Sequence, residues 1–191
     1  MNRSNSGYLT REQRQNKLGL HNTNMAKTHY ALIQCGEAKA SEELPAKEKY
    51  TSSYSRKKVE FGDAFCEDLW ILSAKFGVIP GDQLVPDYNV TPNDHSEIER
   101  THWIASIEQS LRQCVWPGNG VLWVLVASNY LDVDDGTGKT VADAIEAGTP
   151  PHLDARFPFN QTSGIGYQMG WVSDCISGNA PKMPAELCKE Y

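Results

Sequence analysis

An α/β sandwich around a mainly parallel sheet is the fold this sequence predicts, and three features predict it. Short apolar runs at Tyr30–Ile33, Leu69–Leu72 and Val121–Ala127 read as buried strands. The last, VLWVLVA, is apolar on both faces, as a central strand of a covered parallel sheet must be. The stretches between the runs carry helical periodicity, and strands alternating with helices imply crossovers packed in three layers.

The elements follow in chain order. Residues 1–26 are rich in Asn, Ser and Thr and lack helical periodicity, so they read as a flexible polar arm. Of the net charge of −6, this arm contributes +3 (Arg3, Arg11, Arg14 and Lys17 against Glu12), leaving −9 for the rest. The first strand runs through HYALIQ and stops in Cys35-Gly36-Glu37-Ala38-Lys39. In the segment that follows, Tyr50, Tyr54, Phe61 and Phe65 fall on one helical stripe, and Lys58 completes its i+4 spacing. The second strand exits into Ser73-Ala74-Lys75-Phe76-Gly77.

Ser96 with Glu99 three residues on is a capping-box signature, opening an amphipathic helix through Ile104, Ile107 and Leu111. Pro117-Gly118-Asn119-Gly120 ends that helix and turns the chain into the third strand. That strand exits into Ser128-Asn129-Tyr130. His152 and Asp154 lie in a proline-bounded loop, and SGIGYQMGWVSDCI is a glycine-rich turn running into a last helix. Residues 27–178 thus form a single α/β domain, and residues 179–191 a tail.

Composition narrows the function. At 191 residues, 40% hydrophobic and 22% charged, the chain has the content of a globular domain with a sizeable core. No apolar run approaches the roughly 20 residues that span a bilayer, and the polar N-terminus is not expected to be a secretory signal. Cysteines at 35, 66, 114, 175 and 188 are odd in number and widely spaced, which reads as reduced thiols in a cytoplasmic protein. The acidic body argues against a large duplex-binding face.

Two motifs fail inspection. Gly136-Thr137-Gly138-Lys139-Thr140 suggests a phosphate-binding loop, but Val133 stands where that pattern needs glycine, and three aspartates precede it. The same segment lacks the EF-hand ligand set, since Gly136 and Asp143 hold positions that need Asp/Asn and Glu. It reads as a polar turn capping a helix. No metal site is expected either: His95 and His102 are two helical turns apart, and there is no Cys-x-x-Cys. No cofactor is implied.

The chemistry is expected at the strand exits, because ligands of open parallel sheets bind beyond the carboxyl ends of the strands. All three exits combine small residues with polar groups, and two supply a lysine, Lys39 and Lys75. Adjacent parallel strands would bring those lysines to one edge. Convergent lysines favour an anionic ligand such as phosphate and are expected to lower one another's pKa, which suits an amine nucleophile.

Four blocks in order resemble a family of small domains related to the peroxide-stress YaaA-like proteins. LIQCGEAKA resembles a strand ending L-I-x-C-G/S-x-x-K, and AKEKYTSSYSRK resembles the A-x-x-L-Y-x-S-x-x-F-R-K segment after it. WILSAKFGVI with VPDYN resembles W-x-I-L-S-A-K-H-G-L-I and a downstream P-Y-D, and SGIGYQMGWV resembles G-x-G-I-G-x-x-x-x-W-L. Cys35 and Lys39 also share the cysteine-to-lysine spacing of the P-C-S-A-R-K-P-Y motif in the archaeosine synthase catalytic domain, whose lysine attacks a modified deazaguanine base. The fold this likeness implies resembles uracil-DNA glycosylases. Phe76 departs from the family's histidine, and Asp87-Tyr88-Asn89 reverses its Tyr-Asp order.

Residues and resemblance together lead to an enzyme acting on a nucleobase, nucleotide or nucleic acid. Lys39 is then the nucleophile or phosphate ligand, and Lys75 its electrostatic partner. Cys35, Gly36, Ser52, Ser73, Ser128 and Asn129 line the pocket, and Tyr50 or Tyr88 stacks on a base. The alternative is a non-catalytic nucleic-acid-binding or stress-response protein that uses the basic arm.

Overall fold

A computed structural model describes residues 27–162, 164–178 and 181–184. The basic arm therefore lies outside the described residues, as do Cys188 and most of the tail. Five strands form the main sheet: β1 (Thr28–Gln34), β3 (Asp68–Ser73), β4 (Gly77–Pro80), β6 (Gly120–Leu125) and β7 (Leu153–Arg156). Their order is β4-β3-β1-β6-β7. β1 pairs in parallel with both β3 and β6, with Tyr30 opposite Asp68 on one side and Leu122 on the other. β7 is parallel to β6, and β4 alone is antiparallel. A second, two-stranded sheet pairs β2 (Leu44–Pro45) with β5 (Leu84–Val85).

The helices are α1 (Ala46–Lys49), α2 (Ser53–Phe65), α3 (Glu97–Gln113), α4 (Ser128–Leu131), α5 (Val141–Gly148) and α6 (Ile165–Ile176). The chain moves from β1 to β3 in one direction and returns past β1 to β6 in the other. Right-handed crossovers then place α2 and α3 on opposite faces. The packing agrees, for α2 lies against α6, and α3 lies against α5.

Alternation along the central strands feeds both layers. On the α2–α6 face, Trp123 of β6 meets Phe61 and Trp171 with ring centroids 6.1 and 5.8 Å away. On the α3 face, Tyr30 stands edge-on to Trp116 at 5.0 Å, and its phenol donates to the Pro117 carbonyl at 2.8 Å. β6 is buried along its whole length, as its two-sided apolar pattern predicts.

The helix signals in the sequence have their structural counterparts. Ser96 and Glu99 form the capping box of α3, which buries Ile104, Ile107 and Leu111. The DDGTGKT turn caps α5: Asp135 Oδ1 accepts from Thr137 N at 2.8 Å and Lys139 N at 3.2 Å, and Thr140 with Asp143 closes a capping box. Lys139 is ion-paired with Glu108, so it does not project from the turn as a phosphate ligand would.

Three expectations need correcting. Tyr50 is not on the α2 stripe. It follows the single turn of α1 and bridges to Lys39 in extended conformation, while α2 starts only after the Ser52 cap. The Ser73–Gly77 exit is a tight hairpin returning into β4, not the start of a crossover. The loop around His152 contains edge strand β7, where Arg156 Nε donates to Asp154 Oδ2 at 2.8 Å.

No helix among the described residues is long and apolar enough to cross a membrane. No disulfide joins Cys35, Cys66, Cys114 or Cys175.

The parallel pairing leaves no room at Gly120, where an added Cβ would lie 2.1 Å from the Thr28 carbonyl oxygen. Gly120→Ala is expected to lose about 1–3 kcal/mol in urea unfolding, because the obstacle is backbone. Gly170, inside α6 and surrounded by open space, should behave oppositely. Gly170→Ala is expected to gain about 0.5–1 kcal/mol in the same measurement.

Candidate active site

The carboxyl ends of β1, β3 and β6 lie side by side, and a cleft of about 940 Å³ opens beyond β1 and β6. Its walls come from Cys35–Lys39 after β1, Ser52, Tyr54 and Ser55 at the start of α2, residues 90–93 ahead of α3, Ala127–Tyr130 after β6, and the start of α6. The volume is that of a small-molecule site.

Close approach between the first two walls depends on Gly36. A Cβ there would fall 2.5 Å from Ser55 Oγ and 3.4 Å from Tyr50 Cβ. Ser52 caps α2 by accepting from Ser55 N at 3.1 Å, and its hydroxyl donates to Ser55 Oγ at 2.9 Å. The α2 N-terminus, with its outward N–H groups and positive dipole end, is thus part of the cleft wall. Gln34 Oε1 accepts from Ala127 N at 2.9 Å and so ties the β1 exit to the β6 exit.

Lys39, Cys35, Gly36, Ser52, Ser128 and Asn129 line the cleft, as the exits suggest. Lys39 is half-buried, and its Nζ donates to the Glu37 carbonyl at 3.2 Å. Lys75 is exposed on the β3–β4 hairpin and is not a lining residue. The two amines nevertheless share a ring, lying 4.8 Å (Lys39) and 5.7 Å (Lys75) from the centroid of Tyr88. Neither forms an ion pair among the described residues.

Tyr50, Ser73 and Tyr88 sit off the lining wall, in a buried hydroxyl chain. Ser73 Oγ accepts from Lys75 N and Phe76 N, at 3.2 Å each. Its own proton is then directed at Tyr88 Oη, 3.0 Å away, which in turn is 2.7 Å from Tyr50 Oη. Neither phenol is among the residues that line the cleft. Phe76 packs edge-on against Tyr88 at 5.2 Å, adding an apolar contact where an acid or base is absent.

Sequence reasoning missed the side chain beneath the floor. Lys58 on α2 is 1% exposed, with Nζ 3.4 Å from the carbonyl oxygens of both Gln34 and Leu125. It also lies 4.2 Å from the centroid of Tyr54. No carboxylate pairs with it among the described residues, and burial pulls its amine down to about 7, opposed only in part by nearby Cys35. The signal was present in the sequence: a lysine on the apolar stripe of an amphipathic helix must be buried.

Cys35 is 3% exposed, and its sulfur shares a hydrogen bond of 3.1 Å with Tyr130 Oη. Burial raises the phenols of Tyr50, Tyr54 and Tyr130, and it pushes Tyr88 up to about 12. These groups therefore remain O–H donors. Tyr54, Ser55 and Gln168 are further residues of the cleft wall. Gln168 too carried a signal, since it lies on the face of α6 that buries Trp171, Val172 and Cys175.

With that geometry in view, the chain can be set against known proteins. A family model described as "Family of unknown function (DUF6884)" matches residues 30–174, from β1 to the last turns of α6. The chain belongs to this family. No curated protein and no solved structure matches it. Every wall of the cleft in this DUF6884 domain falls inside the matched residues.

Lys58 makes stability depend on pH. Its folded-state amine loses its proton near pH 7, while the unfolded chain keeps it until about 10.5. Between those values unfolding takes up one proton, so stability rises with pH relative to a chain lacking the group. The melting temperature of Lys58→Met relative to wild type is expected to be highest below pH 7 and to fall steadily towards pH 10. Scanning calorimetry of both proteins across that range checks it; a pH-independent difference would show that the amine titrates normally.

Proposed function

We propose that the chain is an enzyme acting on a nucleobase, nucleotide or nucleic acid, by glycosylase-, lyase- or base-modification-type chemistry. One observation carries the reading: the cleft joins a half-buried lysine, Lys39, to the hydroxyls and N-terminus of α2. An ammonium beside a helix N-terminus and serine hydroxyls is a setting for phosphate. A wall of Tyr54 and Tyr130 suits the apolar bulk of a base.

Lys39 serves as phosphate ligand or as amine nucleophile. In the second role Nζ attacks an electrophilic sugar or base carbon, the bond to the leaving group breaks, and the proton lost by nitrogen goes to that group. Lys75, across the Tyr88 ring, adds positive charge to the rim without entering the cleft. Ser128 and Asn129 supply polar contacts from the β6 exit. The cysteine-to-lysine spacing shared with archaeosine synthase, the likeness to YaaA-like domains and a uracil-DNA-glycosylase-like arrangement of the sandwich belong to this proposal. So does a cytoplasmic setting.

Borohydride trapping in the presence of nucleosides, nucleotides and single-stranded DNA tests the nucleophile. Wild type should yield a covalent adduct and Lys39→Ala none. In equilibrium titrations Lys39→Ala should lose about 10- to 100-fold in nucleotide affinity, the worth of a charge-assisted contact. Lys75→Ala should lose less and mainly at low salt, as a rim charge does. A Lys39→Ala protein that binds and traps like wild type would remove Lys39 from the site.

A further inference from the structure

Gln168 lines the cleft and yet is only 5% exposed, on the face of α6 that packs into the core. A primary amide has one acceptor oxygen and two N–H donors, and amides buried this far normally have both ends bonded. Here Oε1 accepts from the phenol of Tyr54, and Nε2 has no partner among the described residues. The amide thus spends its acceptor on the protein and keeps its donors for the cleft.

Tyr54 holds that orientation. It stands in the first turn of α2, with the Lys58 amine 4.2 Å from its ring centroid and Phe159 packed at 6.4 Å. Its phenol donates to Gln168 Oε1 and has no second partner among the described residues. Burial keeps that proton in place, since it raises the phenol's pKa. With the phenol proton on Oε1, the two Nε2–H groups remain for the cleft.

We infer that Gln168 determines specificity by donating an Nε2–H to an exocyclic oxo oxygen of the bound base, with Tyr54 as the residue that positions it. This rests on the nucleobase reading proposed above. A 6-oxopurine or 4-oxopyrimidine offers an acceptor lone pair at that position, whereas an amino group offers only another donor. Facing donor to donor leaves the mostly buried amide and the amino group unpaired, and sites built on such hydrogen bonds discriminate strongly.

Titration calorimetry of the full chain at pH 7 with IMP against AMP, and UMP against CMP, tests it. Each pair differs at the exocyclic position and the protonation of the adjacent ring nitrogen. Wild type should bind the oxo member about 10- to 100-fold more tightly. Gln168→Leu should bring the two members of each pair close together. Tyr54→Phe, which removes only the oxygen that fixes the amide, should narrow the ratio in the same direction, a change that a general loss of stability would not produce. Amino nucleotides binding as well as oxo nucleotides, or a ratio unmoved in both variants, would overturn the role of Gln168 and leave the nucleobase reading standing. Binding of none of the four would sink both.

Discussion

β1 and β6 end side by side, and the carbonyls of Gln34 and Leu125 lie at their last residues. One amine reaches both, Lys58 Nζ, from the helix that lies across that face of the sheet. Much of the cleft follows from this contact. It fixes α2 over the strand ends, which brings Ser52 and Ser55 against Gly36 and turns the helix N-terminus towards the opening. It also sets Tyr54 over the buried amine, and from there its phenol meets Gln168.

An unpaired buried amine is costly to keep charged, and burial lowers its pKa to about 7. The amine beneath the cleft thus carries only part of a full positive charge near pH 7, while the rim is cationic. Lys39 and Lys75 supply that rim charge and share the Tyr88 ring, whose phenol continues through Tyr50 and Ser73. The division suits a ligand with an anionic end and an uncharged ring. A phosphate is best held where water still screens its charge, and a base is best read where each hydrogen bond is made in a dry site.

Much of the fold was legible because its strongest signals are local. VLWVLVA is apolar on both faces, and Ser96 with Glu99 marks a helix start whatever surrounds it. The edge strands were not legible. GVIP ends in a proline and LDAR carries two charges, so neither shows a two-residue alternation long enough to separate it from loop. The exits were legible as a group, since consecutive parallel strands must end on one side. Which of their residues face the opening was not: Ser73 sits at a strand end like Ser128, yet the hairpin to β4 folds over it and buries it completely.

The sequence by itself determined the α/β alternation, the capped helices and the placement of Cys35, Gly36, Lys39, Ser128 and Asn129 beyond strand ends. Periodicity and capping act over a few residues and need no distant partner. Only the tertiary structure decided that Lys58 ties two strands together, that Tyr50 and Tyr88 lie buried behind the cleft lining, and that Gln168 keeps a donor for the cleft. Each of these depends on contacts between residues remote in sequence, 114 positions apart for Tyr54 and Gln168. The chemistry of a buried polar group is set by which partners reach it and which do not, and that is a property of packing.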